Sequence, residues 1–269
     1  MTSPQPGKEY AGYQSVLADQ VNRSHFDWTF KSDETYRAIL EHVSYEQGEA
    51  YLELIKNEFN DRWEDQRLVP GALRYEALRA ARINDAYGVP VTSSFPSLHG
   101  SYSPTNFRYI YHSLLALKHF SIYAPGAHVI ELGAGYGGFA YIFQAIAPSM
   151  DFEVLSYRTI DLPEACKLQR KYADSVKFNL DDAIDGTNLK SMRSLIDATS
   201  DGPRFLFSAY AFSEFSPPIR GWYNQLLLNH CDHAFIVWNL CEVYRFTNRE
   251  FAVENERPLT GFGNKYVSF

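Results

Sequence analysis

Tyr51, Ile55, Phe59 and Trp63 recur every four positions, with Leu52 and Leu54 beside them. That spacing predicts an amphipathic helix. Ser44 stands three residues before Gln47, the arrangement of a capping box at its start. Pro70-Gly71 is expected to stop the helix, and Leu73, Ala77, Leu78 and Ala81 predict another after it. The whole stretch from about 32 to 85 therefore reads as helical. Residues 88–104 (GVPVTSSFPSLHGSYSP) form a turn-rich connection. A further helix is expected from about 105 to 123, with Ile110, Leu114, Leu117 and Phe120 on one face.

Beyond Pro125-Gly126 the pattern changes. His128 to Leu132 is a short apolar run that leads at once into Gly133-Ala-Gly-Tyr-Gly-Gly138. Phe139, Ile142, Phe143 and Ile146 follow at helical spacing, so a helix opens directly on the glycines. Further strands are expected at 152–160, 176–178, 205–207 and 234–238, with helices from Pro163 to about Tyr172 and around 222–228. Such alternation implies an α/β fold with a parallel sheet and right-handed crossovers. Only 264–269 suggests a strand after Trp238, which leaves the sheet short of a terminal pair. The expected division is a helical region over 1–100, serving substrate binding or oligomerisation, and a nucleotide-type domain over 101–269.

Composition narrows the classes. The chain has 269 residues, 45% hydrophobic and 16% aromatic, enough to bury a core. Thirty-two acidic against 25 basic residues give a net charge of −7, and no basic cluster suits a nucleic-acid partner. No apolar run is long enough for a membrane span, and the first twenty residues lack a signal-peptide pattern. Three cysteines without a CxxC pair suit a reducing, cytoplasmic setting.

A strand, a glycine turn and a helix in succession make a site where a ligand can approach the main chain. Gly133, Gly135 and Gly138 fit GxGxxG, a weak signal by itself. Two carboxylates shift the reading away from a dinucleotide. Glu131, two residues before the first glycine, would repel a pyrophosphate and attract a cation. Asp161, at the end of the next strand, is placed for a ribose diol, yet it follows Gly133 by 28 residues, against roughly 20 in dinucleotide folds. A phosphate-free nucleoside with a positively charged end fits both.

Val129-Ile-Glu-Leu-Gly-Ala-Gly-Tyr-Gly-Gly138 resembles the first motif of class I S-adenosylmethionine-dependent methyltransferases. Together with Ile160-Asp-Leu-Pro163, Leu168-Gln169 and Ser208-Ala-Tyr-Ala-Phe-Ser-Glu-Phe215, it is similar to a bacterial family of sugar O-methyltransferases. The resemblance covers roughly 128–240. It implies a Rossmann-like class I methyltransferase sheet with an N-terminal helical region, and S-adenosyl-L-methionine as cofactor. Glu131 and the backbone of Gly133, Ala134, Gly135, Tyr136 and Gly137 would meet the methionine end. Asp161 would hold the ribose, Leu162 would pack near the adenine, Asp181 or Asp182 would meet the adenine amino group, and Ser208 would lie beside the sulfur.

A sugar hydroxyl needs a base to take its proton during attack. Glu214, in the loop after the fourth strand, is the first candidate, followed by His112 and His99. His230-Cys-Asp-His233 is read as structural, because adjacent residues rarely converge on one ion. No metal is expected, although Mg2+ held by a substrate diol with Asp181, Asp182 and Glu214 is an arrangement some sugar methyltransferases use. The expected function is methyl transfer to a hydroxyl of a sugar or glycosylated small molecule. The alternatives are an NAD(P)-dependent oxidoreductase or a non-catalytic nucleoside-binding protein. An oxidoreductase would want a Tyr-x-x-x-Lys pair, and no lysine lies between Lys190 and Lys265. The Tyr51/Ile55/Phe59/Trp63 stripe is expected to be core or a homo-oligomer contact.

Overall fold

In a computed structural model the described residues are 11–63, 73–239, 241–246 and 249–269. The expected stop at Pro70-Gly71 lies outside them. The N-terminal helices are α1 (Ala11–Asn22), α2 (Glu34–Ile39), α3 (Tyr45–Glu58), α4 (Asn60–Trp63) and α5 (Leu73–Asp85). Ser44 and Gln47 close the capping box: the Gln47 N–H donates to Ser44 Oγ at 3.2 Å and the Ser44 N–H to Gln47 Oε1 at 3.0 Å. A two-strand hairpin, β1 (Ser93–Ser94) with β2 (Ser101–Tyr102), leads into α6 (Pro104–Phe120).

Helix α6 is buried nearly all round, because α3 packs on one side of it and the sheet domain on the other. A helix so enclosed carries apolar residues on every face. Any polar side chain on it, such as Arg108 or His112, is therefore held inside the molecule. The stripe Tyr51, Ile55, Phe59 and Trp63 is buried in this interior, so it belongs to the core.

The main sheet comprises β3 (Gly126–Leu132), β4 (Glu153–Asp161), β5 (Asp182–Asp185), β6 (Arg204–Ala209), β7 (His233–Trp238), β8 (Ala252–Asn255) and β9 (Lys265–Ser268). The order is β5-β4-β3-β6-β7-β9-β8, with β9 antiparallel to both neighbours. Counted from β3, that is 3-2-1-4-5-7-6. Its covering helices are α7 (Gly138–Ile146), α8 (Pro163–Val176), α9 (Leu189–Asp197), α10 (Ala211–Glu214) and α11 (Pro217–Leu226). This is the expected Rossmann-like class I methyltransferase sheet with an N-terminal helical region. One core unites the two parts, running from Leu17, Trp28 and Ile55 to Val129, Phe139 and Phe207. Among the described residues no helix is long and apolar enough to cross a membrane.

Two expectations need correction. The sheet is complete, because Ala252–Asn255 supplies a sixth strand; all four of its residues are exposed, so no hydrophobic pattern marks it. The third strand is not at Val176–Phe178. Val176 ends α8, Lys177 caps it in the left-handed conformation, and Phe178 packs against Tyr141 and Tyr172. The strand proper is Asp182–Asp185, with Asp185 rather than Asp181 or Asp182 at its carboxyl end.

Candidate functional site

A cavity of about 580 Å³ opens at the carboxyl ends of the parallel strands. It falls within the roughly 300–1,000 Å³ range of small-molecule sites. Its floor is the turn after β3. Gly133 has φ +79°, and a Cβ there would lie 2.2 Å from that of Ala211. Gly135 has φ +59°, and a Cβ would lie 2.6 Å from Leu40 Cδ1. Only glycine takes these angles and clearances without strain.

Asp161 closes the turn from β4. Its Oδ2 accepts the Gly135 N–H at 2.8 Å and its Oδ1 the Leu162 N–H at 2.7 Å. Gln169, from α8, buckles the same joint. Its amide donates to the Gly135 carbonyl at 2.8 Å and to Asp161 Oδ2 at 3.3 Å, while its Oε1 accepts from Thr159 at 2.6 Å. Burial lifts the Asp161 carboxyl to about 6, against the downward pull of the Leu162 and Gly135 N–H groups. A carboxylate has about four acceptor positions, so Asp161 keeps room for a ligand hydroxyl.

Glu131 also lines the cavity, although its side chain is buried. Tyr157 Oη donates to its Oε2 at 2.8 Å. Burial raises Glu131 to about 8; the Tyr157 bond pulls the other way and nearby Asp161 adds to the rise. A buried carboxylic acid of this kind invites a cation that would let it ionise.

The opposite wall comes from α6 and the N-terminal helices. Arg108 and His112, one helical turn apart, share a face. His112 is 1% exposed and its Nε2 has no hydrogen-bond partner. Tyr51, Tyr210 and Tyr266 meet its ring edge to face. Burial, then Arg108, pushes His112 down to about 3, so the imidazole is neutral. Tyr210 stands at the tip of β6 with φ +65°, an uncommon angle for a side-chain-bearing residue. Its hydroxyl donates to Glu256.

The structure thus brings Glu131, Gly133, Ala134, Gly135, Asp161, Leu162, His112 and Glu214 to one cavity. Glu214 is exposed at the end of α10, its Oε1 accepting from Asn239 at 2.6 Å; partial desolvation of its carboxyl at the cavity mouth raises it, against the pull of Asn239. The other expected residues lie elsewhere. Tyr136 points into the core, hydrogen-bonded to Asn84 with Lys31 Nζ 4.6 Å above its ring. Gly137 is the N-cap of α7, outside the cavity wall. Asp181 accepts the Tyr157 N–H and Asp182 pairs with Arg170, both at the start of β5. Thr187 and Gly186 take their place at the cavity.

Ser208 is wholly buried. It donates to the Leu132 carbonyl at 2.9 Å and accepts the Phe212 N–H, so it ties two strand tips together. His99 is exposed in the loop before α6, its carbonyl accepting from Arg82. Among the described residues no group of three or more His, Cys, Asp or Glu could hold a metal ion. His230 to His233 lies at the start of β7, away from the cavity, where Asp232 accepts the Arg204 N–H and His233 bonds the Phe269 carbonyl. No role was expected for Arg108, His42, Gln169 or Tyr210; Gln169 and Tyr210 stand inside the segments that carry the resemblance, and Arg108 stands i, i+4 from His112.

No family model matches the chain, and no curated protein matches its sequence. Solved structures do. One from Pyrococcus horikoshii, assigned as an RNA methyltransferase, is 12% identical over 63% of this chain and 73% of its own, with a TM-score of 0.38. One from Plasmodium falciparum, assigned as a protein-L-isoaspartate O-methyltransferase in complex with S-adenosyl-L-homocysteine, is 12% identical over 74% and 85%, with a TM-score of 0.39. One from Galdieria sulphuraria, assigned as a sarcosine dimethylglycine methyltransferase, is 13% identical over 61% and 59%, with a TM-score of 0.36. At these identities and scores the likenesses carry no inference about activity, and the fold rests on the strand order.

Proposed function

We propose that this chain is an S-adenosylmethionine-dependent methyltransferase acting on a hydroxyl of a sugar or glycosylated small molecule. The observation that carries the reading is that Glu131 and Asp161, from adjacent strand tips, open with the glycine turn on one cavity. Among the described residues a single arginine and no lysine line it, which suits a phosphate-free nucleoside better than a pyrophosphate.

The cofactor supplies a methyl group on a positively charged sulfur. Asp161 would hold the ribose hydroxyls, Leu162 would lie beside the adenine, and Glu131 would face the ammonium of the methionine portion. Thr187 replaces Asp181 and Asp182 as the residue near the adenine. His112 is the base this site favours, because its buried Nε2 is free and neutral, whereas Glu214 is exposed and bound to Asn239. Taking the hydroxyl proton is worth about 10²–10⁴ in rate for a base poised near the working pH, so His112, held at about 3 in the free protein, would gain basicity as the acceptor docks. Tyr13, Tyr109, Phe139 and Tyr210 offer ring faces and edges to a sugar. The free thiols of Cys166, Cys231 and Cys241 fit a reducing, cytoplasmic compartment.

The test is transfer of labelled methyl from S-adenosylmethionine to a panel of sugars, glycosides and amines. Label on a sugar hydroxyl is expected; label on amines alone would overturn the hydroxyl reading.

Glu131 makes cofactor binding depend on pH. With its value near 8 the free site is protonated at neutral pH, and the bound cation favours the ionised form. Affinity for S-adenosylhomocysteine should therefore rise from pH 6.5 to about 8 and then level, with nearly one proton released per ligand at pH 7. Calorimetry in two buffers of different ionisation enthalpy measures the release. Glu131→Gln should abolish it.

A further inference from the structure

Arg108 is 5% exposed and faces the cavity. One N–H donates to the Leu40 carbonyl at 2.7 Å and another approaches His42 Nε2 at 3.3 Å, so three of the five guanidinium donors remain. Its Cζ lies 5.7 Å from the Tyr109 ring centre and 6.0 Å from that of Tyr210. Among the described residues no carboxylate forms an ion pair with it. Glu41 acts on it only through its field, and Glu41 Oε1 is itself buried without a partner. A buried cation without a close counter-charge is costly, and a ligand that brings the charge removes the cost.

We propose, building on the methyltransferase reading, that the methyl acceptor carries a carboxylate that docks on Arg108, as a sugar acid would. A planar carboxylate matches the guanidinium fork, and among the described residues no second arginine or lysine lines the cavity for a doubly charged phosphate. The unpartnered Nε2 of His112, one turn along α6, then meets a hydroxyl of the same molecule. The docked charge also improves the base. Arg108 is one of the two causes that hold His112 low, and a carboxylate on Arg108 offsets it.

The test pairs glucuronic acid with glucose, and galacturonic acid with galactose, titrated by calorimetry into the protein saturated with S-adenosylhomocysteine. The wild type should bind each acid about 10- to 100-fold more tightly than its neutral partner, the range for one charge-assisted contact. Arg108→Met should bring that ratio near one while S-adenosylhomocysteine affinity stays within about threefold. Arg108→Lys, which keeps the charge without the fork, should keep part of the ratio, and it carries the test should Arg108→Met not fold. Equal binding of acid and neutral sugar by the wild type, or an unchanged ratio in both variants, overturns the inference. So does a loss of S-adenosylhomocysteine binding in the variants with 5′-methylthioadenosine unaffected, since the guanidinium would then serve the cofactor's own carboxylate. Failure of the wild type to bind S-adenosylhomocysteine at all overturns the methyltransferase reading as well, which separates the two failures.

Discussion

Asp161→Ala is expected to weaken S-adenosylhomocysteine binding by at least about 100-fold. The side chain does two things at once. Its Oδ2 accepts the Gly135 N–H at 2.8 Å and its Oδ1 the Leu162 N–H at 2.7 Å, so it sets the shape of the turn. The acceptor position left by Gly135, Leu162 and Gln169 would take a ribose hydroxyl. A hydrogen bond to a charged group is worth about 1.5–3 kcal/mol, and losing that bond together with the shape of the turn accounts for the expected loss. Asp161→Asn keeps an acceptor for one backbone N–H and should lose less. Calorimetry on both variants, beside a thermal melt, separates lost contacts from a loosened turn. An Asp161→Ala protein that binds like the wild type would remove the ribose from this site.

His112→Gln should lower the rate of methyl transfer by about 10²–10⁴, the usual contribution of a positioned base. S-adenosylhomocysteine affinity should change little, because His112 stands on α6, across the cavity from the turn that would hold the cofactor. Glutamine nearly preserves the volume inside the cage of Tyr51, Tyr210 and Tyr266, so folding should survive. Single-turnover kinetics with the cofactor pre-bound reads the chemical step. A normal rate in His112→Gln together with a collapse in Glu214→Gln would return the base role to Glu214.

The turn and its two carboxylates were legible because their signal is local. A strand, three glycines and a helix within a few residues leave one solution for the backbone, and Glu131 and Asp161 follow from their places at strand tips. The error over Asp181 and Asp182 came from Val176 and Phe178, two apolar residues flanking Lys177: they have strand character, but Val176 finishes a helix and Phe178 packs beside Tyr141 and Tyr172. The true strand, Asp182-Ala-Ile-Asp185, hides its two inward residues between acids. Ser208 was misplaced for a subtler reason: it does end β6, but its hydroxyl is spent on the Leu132 carbonyl. Arg108, His42 and Tyr210 were illegible as a group. They meet only after α2, α6 and β6 have packed, and sequence spacing does not record that approach. His99 shows the converse, a histidine in a suggestive segment that the fold leaves in solvent.

The most direct measurement is calorimetric titration of the unmodified protein with S-adenosylhomocysteine and, separately, with NAD. Saturable one-to-one binding of the first in the micromolar range, lost in Asp161→Ala, with no heat from the second, is the predicted result. Tight binding of NAD, or no binding of S-adenosylhomocysteine, would contradict it.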